Sequence, residues 1–359
     1  MNYREVELLR KESIATAGTR TIDLGLDQAV SRLDVIWKKT NTNRTPIAHP
    51  GKIVERIDVV DGSDVLYSLN GQDAQAMAFF STEEQPGCMI NYELGQWSMQ
   101  IASIYFGRWL WDEMYALDPK RHNNIQIKVQ HNLANGGSTG TVADLSIYAH
   151  VFNDRVVTPK GFVQCREIYS FLPVASAWVY IDMPQDYPIR ALMFGANECE
   201  DGPEYNINSF KVSENGGKNI LAESEMERYL LVQSGHLRPW SEKIVLKTAA
   251  AATDLTAYQS CHWERRFSGC VEGAGLGVGV TSNAGCKLVL QNATAAAIIE
   301  GHALGFAPFG QTWIPFADMK DEGGWETVGK GNSRLDLKAG DTPDTDEYVR
   351  VAVNQLRSY

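Results

Sequence analysis

Long apolar runs are absent from this chain of 359 residues. No stretch reaches the ~18 uncharged apolar residues that would read as a membrane span. The opening residues Met1-Asn2-Tyr3-Arg4-Glu5-Val6-Glu7 are charged and lack the apolar segment of a secretory signal, so export by that route is not expected. Cysteine is scarce. The six thiols (Cys88, Cys165, Cys199, Cys261, Cys270 and Cys286) are scattered without a C-x-x-C pair, and free buried thiols are the expectation. Cys261-His262 with Cys270 imitates a zinc site poorly, because such a site needs two close ligand pairs. Positive charge is also short: 33 Lys and Arg stand against 44 Asp and Glu, a formal net charge of −11. That balance argues against a general polyanion binder, and no specific nucleic-acid site is expected.

Local catalytic signatures are missing as well. Gly273-Ala274-Gly275-Leu276-Gly277-Val278-Gly279 has strict two-residue spacing and no Lys in register, so it reads as a strand or loop instead of a phosphate cradle. Gly136-Gly137-Ser138-Thr139-Gly140 has the letters of a nucleophile elbow but lies between two strands, where a wide loop is expected. The seven histidines include no H-E-x-x-H, and His131 and His150 read as sheet-surface residues. Asp112-Glu113 and the pair Glu198 and Glu200 are carboxylates that lie near aromatic residues; solvated surface is the simpler reading. Asp341, Asp344, Asp346 and Glu347 carry enough oxygen for calcium, but a solvated Asp/Thr-rich turn between the final strands is the preferred reading. No catalytic, cofactor or metal residue is assigned, and no enzymatic activity is expected.

What is present is strand and turn. Hydrophobic residues make up 44% and charged residues 21%, the balance of a folded chain, and the length suits two domains or one large one. Lys52 to Val60 alternates apolar and polar residues, Asp61-Gly62 supplies a tight turn, and Val65 to Leu69 returns. Asn70 then caps a helix over Gln72 to Phe80, with Ala74, Met77 and Ala78 on one face. An aromatic strand is expected over Gln100 to Trp109. Ile125 to His131 and Val142 to Phe152 read as a hairpin pair.

The same order recurs. Asn208 to Val212, the turn Glu214-Asn215-Gly216-Gly217, Ile220-Leu221 and a helix from Ser224 through Leu231 repeat strand, turn, strand, helix. A second aromatic strand is expected at Ala303 to Gly310, and Ser333 to Lys338 and Tyr348 to Leu356 close the chain. Trp97, Trp109 and Trp111 flank the first aromatic strand and Trp313 and Trp325 the second, a placement that suits a structural duty repeated in both halves. The halves differ in one place: the second carries an insertion at about 247–300, rich in Ala and Gly. The junction falls near Asn153 to Lys160.

This arrangement resembles the double jelly-roll major capsid proteins of tailless icosahedral viruses, particularly those of bacteria. The resemblance spans nearly the whole chain. It rests on Arg56-Ile57-Asp58-Val59-Val60-Asp61-Gly62 with Leu66-Tyr67-Ser68-Leu69-Asn70-Gly71, and on Leu117-Asp118-Pro119 with Asn124 to Ile127. Gly136 to Thr139, Leu145 to Ala149, Asp186 to Leu192 and Val351 to Leu356 complete it. It implies an all-β chain of two tandem eight-stranded jelly-roll sandwiches with short helices. Residues 1–18 would form an N-terminal arm or helix, 19–156 the first roll and 157–359 the second. The implied function is a major capsid protein that trimerises into pseudo-hexagonal capsomers. Its implied partners are neighbouring capsomers, minor capsid or vertex proteins and, where one is present, an internal membrane. A carbohydrate-binding or glycosidase β-sandwich is the alternative from another class, and a minor capsid or spike protein of the same fold is the third reading.

Overall fold

The computed structural model describes residues 2–43, 46–153, 156–197, 202–247, 255–263, 266–272, 279–281, 286–291, 298–318 and 320–359. The first half holds β1 (Tyr3–Ile14), β2 (Ala17–Asp23), β3 (Val30–Thr40), β4 (Pro46–Ala48), β5 (Val54–Asp61) and β6 (Asp64–Leu69). After these come α1 (Gly71–Thr82), β7 (Met89–Asn91), β8 (Trp97–Tyr105), β9 (Ile125–Asn132), β10 (Gly137–Ser138) and β11 (Val142–Phe152). The second half begins with β12 (Gly161–Phe171), β13 (Trp178–Asp182), β14 (Ile189–Ala196), α2 (Pro203–Asn206), β15 (Ile207–Glu214), β16 (Asn219–Glu225) and α3 (Met226–Ser234). It continues through β17 (Trp240–Lys247), β18 (Leu255–Tyr258), β19 (Arg266–Glu272), β20 (Gly279–Thr281), β21 (Lys287–Gln291) and β22 (Ile298–Gly305). The last strands are β23 (Gln311–Pro315), β24 (Arg334–Ala339) and β25 (Val349–Ser358).

Two sandwiches stand side by side. In the first, β1-β11-β3-β8 faces β2-β9-β5-β6; in the second, β12-β25-β14-β23 faces β13-β24-β15-β16. The two four-strand orders are the same when each half is numbered from its own first long strand. Each face contributes alternate residues to its core, as period-two side chains require. Leu33, Val35 and Trp37 of β3 and Ile57 and Val59 of β5 fill the first; Leu192, Phe194, Phe210, Leu335 and Val351 fill the second.

The repeated hairpin-and-helix unit forms where local chemistry demands it. Gly62 takes φ +61° between β5 and β6, and Asn215, Gly216 and Gly217 take φ 55°, 67° and 86° between β15 and β16. The Asn70 side chain accepts the Asp73 N–H at 2.7 Å and donates to the Asp73 carboxylate at 2.6 Å, capping α1. Asn70→Ala is expected to cost about 1 kcal/mol, read as a lower urea midpoint with unchanged slope. An unchanged midpoint would remove the cap from the account.

Four expectations need correction. Residues 3–14 are not an arm or helix: β1 pairs along β11 from Tyr3↔Phe152 to Ile14↔Ala143 and belongs to the first sandwich. β9 and β11 are not a hairpin. β9 pairs with β2 and β5 while β11 pairs with β1 and β3, so the chain crosses from one sheet to the other between them. The expected strand at Ala303–Gly310 breaks in the middle, because Phe309 and Gly310 take φ 54° and 67°, and β23 starts only at Gln311. The first aromatic strand likewise ends at Tyr105: the chain turns at Gly107, where a Cβ would lie 2.7 Å from the Tyr115 carbonyl.

The insertion is wider than 247–300 and is part of the body. Its strands begin with β17 and end with β22, and β17 runs parallel to β7 of the first half, with Ile244 opposite Ile90. The first sheet thereby continues as β8-β7-β17-β22-β19. Trp240, Ile244, Leu246 and Ala303 are buried in the first core. The Gly273–Val278 part of the glycine run, the alanine runs at 249–252 and 295–297, Glu198, Glu200 and Cys199 lie outside the described residues, as does the side chain of Cys270.

Candidate functional site

The joint between the sandwiches gathers a cluster of buried polar groups around Asn70, Gln72, Asp73, Asn197 and Gln311. Its centre is α1. A helix at the end of a sandwich would normally bury one stripe, yet Gly71 to Met77, Phe79 and Phe80 are all buried. The first half covers one side of α1 and the second half covers the other. Phe80 stacks on Trp313 of β23 with centroids 5.5 Å apart and planes 9° apart, and Phe79 meets Trp240 edge-on at 5.2 Å. β6 and β12 touch in parallel at Ser68 and Arg166, so one sheet runs through both sandwiches.

Buried polar groups register the joint. Gln311 of β23 donates to the Asp73 carboxylate at 3.1 Å and to Asn197 at 2.6 Å, and Asn197 donates to Gln72 at 3.2 Å. Burial pushes the Asp73 carboxyl up to about 6, against the pull of Arg350 and of its amide donors. A second link ties the first half to the insertion. The Gly51 N–H donates to His49 Nδ1 at 2.9 Å, which leaves Nε2 carrying the proton that it donates to Glu242 at 2.9 Å. The other Glu242 oxygen accepts the Ser260 N–H at 2.9 Å. Burial alone would raise the Glu242 carboxyl; His49 and the Ser260 donors outweigh it and hold it below the usual carboxylate range. A cavity of about 300 Å³ lies beside α1, walled by Met77, Phe80, Val163 and Trp313. Burial pushes the Cys165 thiol at its edge up to about 12.

Among the described residues, those considered from sequence for chemistry do not assemble into a reaction centre. Asp112 is held by Arg108 at 2.7 Å, a buried structural pair. His131 and His150 are buried, not on the surface, and lie on opposite sheets; His150 Nε2 meets Asp34 at 2.7 Å, and His131 Nε2 the Ala15 carbonyl at 3.1 Å. Three of the four C-terminal carboxylates turn to different partners. Asp341 accepts from Ser176, Asp344 from the Asp346 N–H, and Glu347 pairs with Lys52 at 2.8 Å. Among the described residues no three His, Cys, Asp or Glu side chains are placed to hold a metal ion. Gly137-Ser138 forms β10, a short rung against β4. Cys165, Cys261 and Cys286 are buried and Cys88 is partly buried.

The tryptophans serve several separate places. Trp313 seals the joint, and buried Trp325 donates to Glu214 at 3.1 Å. Trp111 stacks on Tyr3 at 4.2 Å, Trp97 lies under Lys38 and Trp109 under Arg108. They do not share one groove. The residues missed from sequence are those that register the joint, His49 with Glu242 and Asp73 with Gln311. Only the Asn70–Asp73 cap hinted at any of them.

No protein-family model and no curated protein matches the chain by sequence. Solved structures do match by shape, end to end. The crystal structure of the major capsid protein of Sulfolobus turreted icosahedral virus superposes with a TM-score of 0.59 at 10% identity, covering 99% of this chain and 96% of that one. The major capsid protein of bacteriophage PM2 gives 0.55 at 11% identity, with 99% and 98% covered. The PBCV-1 capsid protein gives 0.56 at 10%, with 99% and 94% covered. All three are double jelly-roll capsid proteins.

The fold is a double jelly roll. Each sandwich is one roll of eight strands, and α1 and α3 occupy the same position in the two rolls, directly after β6 and β16. The segment from β17 to β22 is then a loop of the second roll, grown into strands that lean on the first.

Proposed function

We propose that this chain is the major capsid protein of a tailless icosahedral virus. Three copies form a capsomer of pseudo-hexagonal outline, six rolls in a ring, and capsomers tile the virion shell. The observation that carries this reading is the joint: two rolls with the same strand order are locked side by side by a helix buried on all sides. A rigid two-roll block of this kind is a repeating tile. The end-to-end likeness in shape to major capsid proteins supports the same role. Its work is assembly, with closure of the shell coming from repeated complementary surfaces and not from a reaction. Neighbouring capsomers, minor capsid or vertex proteins and, where present, an internal membrane are its partners, and assembly takes place in the host cytoplasm before the chain resides in the virion.

Mass measurement and negative-stain microscopy of the purified chain test this. A particle of three chains with a near-sixfold outline is expected. A monomer that hydrolyses oligosaccharides would overturn the reading in favour of a carbohydrate-active sandwich. Copy number per particle separates the shell role from that of a minor capsid or spike protein of the same fold.

A further inference from the structure

The cavity of about 300 Å³ beside α1 lies in the seam between the rolls and draws its wall from both. Tyr67, Met77 and Phe80 belong to the first roll; Val163, Trp313 and Asn354 belong to the second. Exposed His236, Pro315 and Asp318 mark its mouth. Deeper in, β6, β12 and β25 are neighbours in one sheet, with Ser68 opposite Arg166 and Cys165 opposite Asn354. Tyr67, Cys165 and Asn354 therefore stand in a row across three strands, and all three line the cavity. Two polar atoms of that row have nothing to bond. The Tyr67 hydroxyl and Asn354 Oδ1, on side chains only 2% and 4% exposed, have no hydrogen-bond partner among the described residues. Asn354 uses only its amide nitrogen, toward Ser81 Oγ at 3.3 Å and the Met77 sulfur at 4.0 Å. Leaving such atoms buried and unpaired is costly, and a native structure keeps few of them without a reason.

We propose that this cavity binds a small uncharged amphiphile, an apolar chain with a hydroxyl-bearing end that bonds Asn354 Oδ1 and the Tyr67 hydroxyl. The chain lies against Met77, Phe80, Val163 and Trp313. Hydroxyl groups suit both atoms: they donate to an amide oxygen that can only accept, and they accept from a phenol that can donate. A carboxylate has no proton to give and would leave Asn354 Oδ1 unpaired. The two guanidinium groups at the cavity are already engaged and do not call for an anion. Arg108 holds Asp112 at 2.7 Å, and Arg190 donates to the carbonyls of Asp318, Asp321 and Gly323. Burial keeps the Cys165 thiol in the row protonated. Solvent fits less well, because a buried water needs two to four polar partners and much of the inner wall is apolar. A dry cavity of about 150 Å³ holds benzene, so twice that volume takes a molecule of about a dozen non-hydrogen atoms. Such an occupant touches both rolls and adds to the cohesion of the joint. The inference stands on the cavity alone and does not depend on the capsid role.

Calorimetry and thermal melting of the full chain test this with two probes of equal chain length, 1,2-decanediol and decanoate, at neutral pH. The diol is expected to bind saturably, one molecule per chain, and to raise the melting temperature by about 2 °C at ten times its dissociation constant. Decanoate is expected to bind about tenfold more weakly. Tyr67→Phe removes a single oxygen. It is expected to weaken the diol by about three- to tenfold, while the empty variant melts no lower than the wild type, because the lost hydroxyl had no partner there. A tyrosine with a purely structural duty would show the reverse, a lower melting temperature and an unchanged affinity. Val163→Phe fills the cavity and is expected to abolish binding; should it fail to fold, Tyr67→Phe still decides. Diol binding that is absent or does not saturate would mean that the cavity holds solvent only. Decanoate binding more tightly than the diol would make the occupant an anion, and an unchanged diol affinity in Tyr67→Phe would put the diol elsewhere. Each of these results overturns the proposal.

Discussion

His49→Ala is expected to lower stability by about 3–5 kcal/mol, the range for leaving a buried charge without its partner. The cause is specific. Glu242 is buried and ionised, and it keeps that charge on the His49 Nε2–H and on the N–H and hydroxyl of Ser260. Removing the imidazole leaves a buried carboxylate short of its histidine donor, and a hole beneath Phe309, whose ring meets His49 edge-on at 5.0 Å. Glu242→Gln should cost less, about 1–3 kcal/mol. The amide keeps an oxygen for one donor but turns its NH2 toward the other. The double variant His49→Ala with Glu242→Ala should be clearly less destabilised than the two single changes added together, since no orphaned charge remains. Urea unfolding of the four proteins reads the cycle. A loss below 1 kcal/mol for His49→Ala, or strict additivity, would mean that the pair does not hold the insertion to the first roll.

That pair also marks the boundary of what the sequence could tell. The hairpin-helix units were legible because their causes are neighbours in the chain: Asp61-Gly62 makes the turn, Asn70 caps Asp73, and Asn215-Gly216-Gly217 makes the second turn. Strand identity was legible too, from period two in β5, β9 and β24. Strand partnership was not, because a period shows which face is buried and says nothing of what lies alongside. β9 and β11 are close in sequence, so a hairpin was the economical expectation, and the rolls put them in opposing sheets. β1 was lost for another reason. Register shifts between Glu7 and Leu9 and between Leu9 and Glu12 break its alternation, with Lys11 at φ 38°, so the run Leu8-Leu9-Arg10-Lys11 suggests a helix turn more than a strand. The joint was the least legible part. His49 and Glu242 lie 193 residues apart and Asp73 and Gln311 lie 238 apart, and no local pattern announces such pairs.

The unequal burial of matching elements carries more than the likeness in shape does. A pair of identical, independent sandwiches would bury α1 and α3 to the same degree. Instead α1 is buried over Gly71 to Met77, Phe79 and Phe80 while α3 leaves Leu231 and Val232 exposed, and all of β14 is buried while β3 leaves Arg32, Ile36 and Lys38 partly exposed. Side chains follow the difference. The buried helix carries Phe79 and Phe80 where a partner waits, and β14 reads Ile189-Arg190-Ala191-Leu192-Met193-Phe194, nearly continuous apolar sequence as a strand buried on both faces requires. The sequence of each roll is therefore adapted to its neighbours as well as to its own core.

Acid should tighten the joint inside the chain through Asp73. Its carboxyl ordinarily titrates at 3.8 and burial lifts it to about 6, so between these values the folded protein binds more protons than the unfolded chain. Stability contributed by this group then falls as pH rises through that window. The cost is complete above pH 6 and absent below pH 3.8, and it amounts to about 3 kcal/mol. Asp73→Asn removes the titration while keeping the shape. Its amide sets donors against donors at Gln311 or Asn70, a penalty that does not vary with pH. The comparison is therefore the difference in unfolding free energy, wild type minus Asp73→Asn, measured at pH 7.5, 6.5, 5.5 and 4.5. Every other carboxylate contributes equally to both proteins and cancels. The difference should move in favour of the wild type by about 2 kcal/mol across this range, with most of the change between pH 6.5 and 4.5. A flat difference would mean that the Asn70 and Gln311 donors hold the charge as comfortably as water does. A difference that moves against the wild type in acid would show the charged form to be the one the joint prefers, with Arg350 outweighing burial.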